Sequence, residues 1–190
     1  MTAKPVTHHL FAYSARLILV LSAGLLLITC KSPVDPLPPA TQVGNGTLAC
    51  LIDGVAWTPR SSDVKSSSRI ARYLEKEKTL FVGGGNDKTF QGMHFGLANY
   101  TGQVGVYQLD SVCADLPRVC ANTGEYTPSK YYEKSVTYQT SGRFKGKVEI
   151  TKHTASGIVS GTFEFEAQNP VTGKVVKITQ GRFDMFYATN

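Results

Sequence analysis

The side chains best suited to acid–base or nucleophilic catalysis are few and far apart in this sequence. Beyond the N-terminal segment the only histidines are His94 and His153, and no G-x-S-x-G motif marks a nucleophilic serine. His94 lies in an alternating run and His153 in a turn-like segment, so both are expected to face solvent. The sequence therefore predicts that the protein is not an enzyme.

Two pairs of carboxylates could supply the acid and base of a glycan-active enzyme. They are Glu75 with Glu77, and Glu164 with Glu166. Alternate positions of a strand point to the same side. Two such glutamates on an outward face are expected to be solvated rather than to have separated pKa values.

Neither a metal nor a cofactor is predicted. The stretch "VGGGND" at residues 82–87 lacks the Lys-Ser/Thr ending and the following helix of a phosphate-binding loop. Asn86 and Asp87 could offer oxygens to calcium, but no spaced series of acids accompanies them. The cysteine spacing matches no pair of zinc ligands.

Three cysteines follow Cys30 in the chain. Cys113 and Cys120 bracket a short loop with a central proline, and a disulfide between them is the simplest pairing. Cys50 lies in the apolar run "TLACLI", where a small buried residue is expected. Pairing of Cys50 with Cys113 or Cys120 is the alternative.

A group of tyrosines in "EYTPSKYYEKSVTY" is the strongest sign of a recognition surface. Tyrosine combines a large apolar ring with a polar tip, which suits sugar or protein surfaces. Packing of these rings along a strand or over a loop is the alternative. The candidate binding residues are Tyr126, Tyr131, Tyr132 and Tyr138.

The N-terminal segment is typical of an export signal. Residues 17–29, "LILVLSAGLLLIT", carry no charge and are shorter than the roughly 20 apolar residues that span a bilayer. The run ends in "LITC", which resembles a bacterial lipobox. Residues 1–29 are therefore predicted to be a lipoprotein signal peptide, cleaved between Thr29 and Cys30. Acyl chains on Cys30 would anchor the protein to the membrane; ordinary secretion with cleavage elsewhere is the alternative.

The remaining chain divides into a tether and one domain. Residues 30–46 are rich in proline and poor in large apolar side chains, so an extended, flexible tether is expected. Residues 47–190 are long enough for a single domain with its own core. The formal net charge of +6 comes from basic residues interleaved with acidic ones, so no nucleic-acid partner is expected.

The domain is predicted to be all-β. Beyond Thr47 the chain consists of short alternating runs broken by Gly, Asn, Asp and Pro. In "GIVSGTFEFEA" the alternation places Phe163 and Phe165 inward, with Glu164 and Glu166 outward. We expect an antiparallel β-sandwich of about nine or ten strands, with a closed, calycin-like β-barrel as the alternative.

Both ends of the domain resemble a family of uncharacterised Bacteroidetes outer-membrane lipoproteins. "NGTLACLIDGVAWTP" carries the family's C-x-[IV]-x-G-x-x-W opening, and "GIVSGTFEFEA" its [IV]-S-G-T-F-x-F strand. The resemblance implies an outer-membrane location, and the scarcity of acids after Cys30 favours the periplasm-facing side. In this lineage "Asp110-Ser111-Val112" resembles an O-glycosylation sequon at Ser111; a plain strand-to-loop transition is the alternative. The resemblance implies no activity.

The sequence thus predicts a membrane-anchored cell-envelope lipoprotein with a non-catalytic binding or structural β-domain. Its partner would be a glycan or another envelope protein. One alternative is a small-molecule or lipid carrier, which requires an open apolar cup. The other is a glycan-active enzyme, which requires two carboxylates, or His94 with a partner, facing one cleft.

Overall fold

A computed structural model describes residues 37–63, 68–112, 122–128 and 136–189. These residues belong to one compact unit, and they form strands and turns without a helix. Within these ranges no helix is therefore long and apolar enough to cross a bilayer. The strands are β1 (Thr47–Ile52), β2 (Val55–Trp57), β3 (Arg69–Leu74), β4 (Thr79–Asn86), β5 (Gln91–Leu97), β6 (Gly105–Leu109), β7 (Thr123–Thr127), β8 (Tyr138–Gln139), β9 (Gly146–His153), β10 (Ile158–Gln168), β11 (Val175–Phe186) and β12 (Ala188–Thr189).

The strands form one continuous sheet that curls into a half-barrel. The order is β12-β3-β4-β5-β7-β8-β10-β11-β1-β2, with β9 paired to β10 and β6 to β9. The pairing of β12 with β3 is parallel, and the other strand pairs are antiparallel. The predicted all-β fold is confirmed. The strand count exceeds the prediction partly because β8 and β12 have only 2 residues each, too few for a periodic pattern.

Aromatic side chains from opposite parts of the sheet meet in the interior. The ring centroid of Phe95 on β5 lies 5.4 Å from that of Phe163 on β10 and 5.3 Å from that of Phe183 on β11. These strands are not neighbours of β5 in the sheet. Burial of apolar surface is the main favourable term in folding, so these contacts hold the curled sheet around its core.

A bulge in β11 lets both halves of this long strand contribute to the core. Val176 and Ile178 are buried before it, and Phe183 and Met185 after it. A strict two-residue alternation cannot produce this pattern. The facing changes around Gln180, where φ is 52° and where the registers to both neighbouring strands shift. One extra residue in a strand reverses the facing of the side chains beyond it.

Residues 37–46, which we call the strap, lie against the outer face of β10 and β11. Four hydrogen-bond donors of the strap converge on the fully buried carboxylate of Asp184, and Ser160 Oγ adds a fifth at 2.7 Å. Burial alone would raise the pKa of Asp184, but the hydrogen bonds lower it well below the usual range. The strap donors are Thr41 Oγ1 at 2.6 Å and the amides of Val43 at 3.0 Å, Gly44 at 2.7 Å and Asn45 at 3.1 Å.

The strap belongs to the folded unit. The predicted tether runs to residue 46, but residues 37–46 are held on the sheet by hydrogen bonds, so the folded unit includes these residues as well as those from Thr47 onward. The hydrogen bonds to Asp184 are the physical reason, since they give a proline-rich segment partners that its own composition does not supply. Residues 30–36 lie outside the described ranges.

Candidate functional site

The outer face of β4 and β5 carries an open trough with a floor of glycines. Gly83 and Gly85 occupy alternate positions of β4, and Gly92 of β5 pairs directly with Gly85. Because glycine has no side chain, the backbone itself forms the floor. The trough consists of two adjoining depressions of about 350 and 270 Å³, which share Gly85 and Gly92.

His94 stands at one end of the trough and is held from behind by a buried carboxylate. His94 Nε2 lies 2.9 Å from Glu125 Oε2, and the two side chains are 24% and 5% exposed. Glu125 Oε1 accepts a hydrogen bond of 3.4 Å from Gln139 Nε2. The three residues form one row across β5, β7 and β8. A carboxylate on one ring nitrogen fixes the orientation and the tautomer of a histidine.

Phe81 completes the ring wall at this end. Its ring centroid lies 5.1 Å from that of His94, with the planes tilted by 37°. Gly83 is paired with His94, and a Cβ at this position would lie only 2.5 Å from His94 Cβ. The missing side chain of Gly83 therefore makes room for the base of the His94 side chain.

Phe90 stands at the other end of the trough, in the turn between β4 and β5. Its residue is 42% exposed and its φ is 56°, a conformation that bulky residues rarely adopt. Asn86 holds this turn, because its Oδ1 accepts hydrogen bonds from the amides of Lys88 at 3.0 Å and Thr89 at 3.2 Å. An exposed ring on a strained backbone is a feature that clusters at functional sites.

Polar side chains accompany Phe90. Asp87, Gln91 and Thr127 line the same depression. Asp87 Oδ2 accepts a hydrogen bond of 3.1 Å from the amide of Ser62, and Gln91 Nε2 donates one of 2.8 Å to Tyr126 Oη. Aromatic walls with a few oriented polar groups are the usual composition of a ligand site.

The interior of the sheet is filled, in contrast to its outer face. The core side chains of Leu80, Phe95, Ile178 and Phe183 are at most 2% exposed. The larger depressions lined by described residues open to solvent. Within the described part of the chain, the side chains thus leave no apolar cup of the kind that a carrier needs.

The described members of the predicted tyrosine surface pack against the core. Tyr126 is 7% exposed, and Tyr138 is partly buried with its ring centroid 5.8 Å from that of Tyr126. Burial raises the pKa of Tyr126. These two rings follow the alternative in which the tyrosines pack along a strand. Tyr131 and Tyr132 lie outside the described residues.

The predicted carboxylate pair on β10 is solvated and faces lysines. Glu164 Oε1 lies 3.2 Å from Lys147 Nζ, and Glu166 Oε1 lies 2.9 Å from Lys177 Nζ. The hydrogen bond and the charge of Glu166 raise the pKa of Lys177. Glu75 and Glu77 are exposed in the turn between β3 and β4. Glu164 and Glu166 line one open depression, and Glu164 lines a second with Glu149. Both glutamates of the pair are neutralised there by lysines.

Cys50 is buried and free, as expected for a small apolar residue, and burial raises the pKa of its thiol to about 12.

Ser111 is partly exposed beyond β6, where its hydroxyl donates a hydrogen bond of 3.2 Å to Asp110 Oδ1. No three His, Cys, Asp or Glu side chains in the described ranges lie close enough together to bind a metal. The predicted cleavage site at Thr29 and Cys30, the acylation of Cys30 and the disulfide between Cys113 and Cys120 all fall outside these ranges and stay predictions.

Sequence reasoning missed Phe81, Phe90 and Glu125. One signal for the trough is present in the sequence, because alternate glycines on two consecutive strands leave a bare strip on one face. No comparable signal identifies Glu125, which is set back from the trough and reaches His94 only through the pairing of β5 with β7.

The fold and the trough define a class of protein, an all-β domain with a filled core and an open, ligand-sized depression on its outer sheet face. The family described as a domain of unknown function, DUF6252, matches residues 52–186. The chain belongs to this family, and the trough lies within the matched region. The prediction of an uncharacterised family is thereby confirmed. No curated protein and no solved structure matches the chain significantly.

Proposed function

We propose that the protein is a lipid-anchored lipoprotein of the cell envelope whose β-domain binds a ligand in the trough without transforming it. The observation that carries the binding role is the fixed geometry of His94, whose ring is held by a buried glutamate at 2.9 Å beside a bare glycine floor. A side chain oriented in advance loses little entropy on binding. The filled interior speaks against the carrier alternative.

The distribution of ionisable groups supports a non-catalytic role. The side chains that line the trough include three ionisable ones, Arg69, Asp87 and His94. Asp87 and His94 line different depressions, at opposite ends. General acid–base catalysis requires groups within hydrogen-bond reach of the same reacting atoms. Binding through rings and oriented polar groups has no such requirement.

The binding role can be tested by nuclear magnetic resonance on the full chain in detergent micelles. Polysaccharide, peptide and lipid fractions of a cell envelope would be titrated separately. We expect one fraction to shift the amide signals of Gly85, Gly92 and Phe90 together with the imidazole signals of His94. If every fraction leaves these signals unchanged, or moves only signals elsewhere, the trough is not a binding site.

The anchor is proposed from residues 17–30 and has its own test. Cys30→Ser removes the thiol that would be acylated, so the variant is expected to leave the membrane fraction, while Cys50→Ser is expected to stay in it. Outer-membrane attachment on the periplasm-facing side predicts that the wild-type domain resists external protease until the outer membrane is permeabilised. Membrane retention of Cys30→Ser would reject acylation at this residue.

The glycan-active enzyme stays a second candidate because His94 has a carboxylate partner, which is one arrangement for a general base. This hypothesis predicts a product when the protein is incubated with the fraction that it binds. His94→Gln would then abolish product formation by at least about a hundredfold, the lower bound of a general-base contribution. Binding without any product favours the non-catalytic role.

A further inference from the structure

We propose that the ligand of the trough is a neutral carbohydrate chain. This inference rests on the proposed binding role and assigns its ligand class. Three features carry it: the hydrogen-bonding state of the floor, the rings at both ends and the distribution of charge.

The floor leaves no backbone groups for a peptide ligand to pair with. β4 pairs with β3 and β5, and β5 pairs with β4 and β7, so the main-chain donors and acceptors of both strands are engaged in ladders. Recognition by strand addition needs a free edge. A ligand on this face must instead lie on the strands and be recognised by side chains, as a sugar is.

The rings are placed as stacking surfaces at the two ends. Phe81 and His94 form one wall, and Phe90 stands at the other end, in the turn that precedes β5. The C–H groups on the face of a sugar ring carry slight positive charge and attract the negative face of an aromatic ring. The bare strip between the walls lets a flat, extended chain approach the backbone. Two separated stacking surfaces suit a chain of several sugars better than a single monosaccharide.

The charges in the trough do not suit a polyanion. Among the described residues that line it, the one lysine or arginine is Arg69, whose Nη1 already donates a hydrogen bond to Gly46 O. Asp87 adds a negative charge at the Phe90 end. Phosphate recognition relies on clustered lysines and arginines. Hydroxyl groups, which both donate and accept, suit the mixture of carboxylate, amide, hydroxyl and imidazole around this trough.

Affinity electrophoresis tests the ligand class with defined probes. The full chain, in a nonionic detergent without a sugar headgroup, would be run through gels containing dextran, xylan, mixed-linkage β-glucan or glucomannan. We expect at least one polysaccharide to slow its migration. Phe90→Ala and His94→Ala are each expected to weaken the affinity at least tenfold. Val171→Ala, which changes a residue that is 75% exposed and outside the trough, should leave it unchanged.

A variant that fills the floor of the trough tests the site in a second way, without removing any ring or polar side chain. In Gly85→Val the new Cβ has no neighbour closer than 3.8 Å, so the fold is expected to accept it while the side chain fills the floor. We expect the affinity of this variant for the polysaccharide to fall at least as far as that of Phe90→Ala. Gly96→Val is the matched control, because a Cβ at Gly96 meets nothing within 4 Å and Gly96 does not line the trough.

The outcomes separate this inference from the proposed function. If no polysaccharide slows the protein while the peptide or lipid fraction moves the trough signals, the carbohydrate class is wrong and the binding role survives. If no fraction moves these signals, both fail. If the polysaccharide slows wild type, Phe90→Ala and Gly85→Val equally, the sugar binds elsewhere and the trough is rejected as its site.

Discussion

Lys78 ends the turn between β3 and β4 in a conformation that favours glycine. Its φ is 49°, and its amide donates a hydrogen bond of 3.2 Å to Glu75 O. For a residue with a side chain, this conformation costs roughly 1–2 kcal/mol in the folded state. Glycine avoids that cost, but its more flexible unfolded chain lowers the free energy of unfolding by about 0.4–1 kcal/mol. We expect Lys78→Gly to raise the free energy of unfolding by about 0.5 kcal/mol, the difference between these terms.

Urea denaturation measures this change. Lys78→Val is the matched comparison, because a β-branched residue tolerates a positive φ worst; its free energy of unfolding should fall below that of wild type. A loss of stability in Lys78→Gly would mean that the lysine side chain contributes more than its backbone costs.

His153 lies within a group of tyrosines that sequence analysis did not predict. Its Nδ1 is 2.6 Å from Tyr100 Oη, and its Nε2 is 2.7 Å from Tyr187 Oη. Tyr187 uses its own proton to bond Thr154 O at 2.8 Å, so Nε2 must be the donor to Tyr187 and Nδ1 the acceptor from Tyr100. The histidine in this network is neutral, and a proton on Nδ1 would break the bond from Tyr100.

The network predicts a loss of stability in mild acid. Burial lowers the pKa of His153 below its ordinary value, so the unfolded chain takes up its proton at a higher pH than the folded domain. The contribution to stability is complete above about pH 6.5, the ordinary histidine pKa, and declines as the pH falls below it. Urea denaturation of wild type and His153→Gln at several pH values from about 8 to about 5 spans this window.

The variant isolates the effect of one histidine, since every other titrating group is shared by the two proteins. We expect the free energy of unfolding to fall less steeply with decreasing pH in His153→Gln than in wild type. Parallel pH profiles would show that His153 does not titrate differently in the folded and unfolded chains.

At the scale of elements, the strap depends on a single carboxylate. Asp184→Asn removes the charge that four strap donors share and turns an amide NH₂ toward some of them. We expect the free energy of unfolding to fall by about 2–4 kcal/mol, the range for breaking a buried, charge-assisted network. The strap should also become accessible to protease at residues 41–45.

Gln42→Ala is the control for this prediction. Its side chain makes one exposed hydrogen bond of 3.0 Å to Thr151, so its loss should change stability by less than about 0.5 kcal/mol. Both variants would be compared by urea denaturation and limited proteolysis of the full chain. If Asp184→Asn keeps a protected strap, the donors hold it without the charge.

At the scale of the whole molecule, Phe95 joins the two parts of the curled sheet. Phe95→Ala removes contacts to rings on β10 and β11 and leaves a cavity, which costs about 3–5 kcal/mol for a buried phenylalanine. Phe186→Ala changes a residue that is 62% exposed and should cost far less. Urea denaturation of the two variants compares them. Equal, small losses would contradict a core shared between opposite strands.

The pattern of neighbouring residues predicted much of the architecture but little of the candidate site. The alternation around Phe163 and Phe165 follows from the geometry of a strand, so it could be predicted from residues that lie next to one another. The bulge at Gln180 could not, because no local rule requires a glutamine to adopt a positive φ there. The sequence makes Tyr126 a candidate binding residue because a tyrosine suits recognition surfaces. Its type does not reveal the face of the strand on which it lies, and the structure buries it.

The sequence by itself determined the all-β class and the alternation around Phe163 and Phe165, because each depends on neighbouring residues or on composition; the export signal stays a prediction. The tertiary structure decided which distant residues meet. Glu125 reaches His94 through strand pairing, Asp184 orders a strap about 140 positions earlier in the chain, and glycines of two strands form one floor. Such contacts arise from the register and curvature of the sheet, which depend on the packing of the whole core rather than on any local stretch.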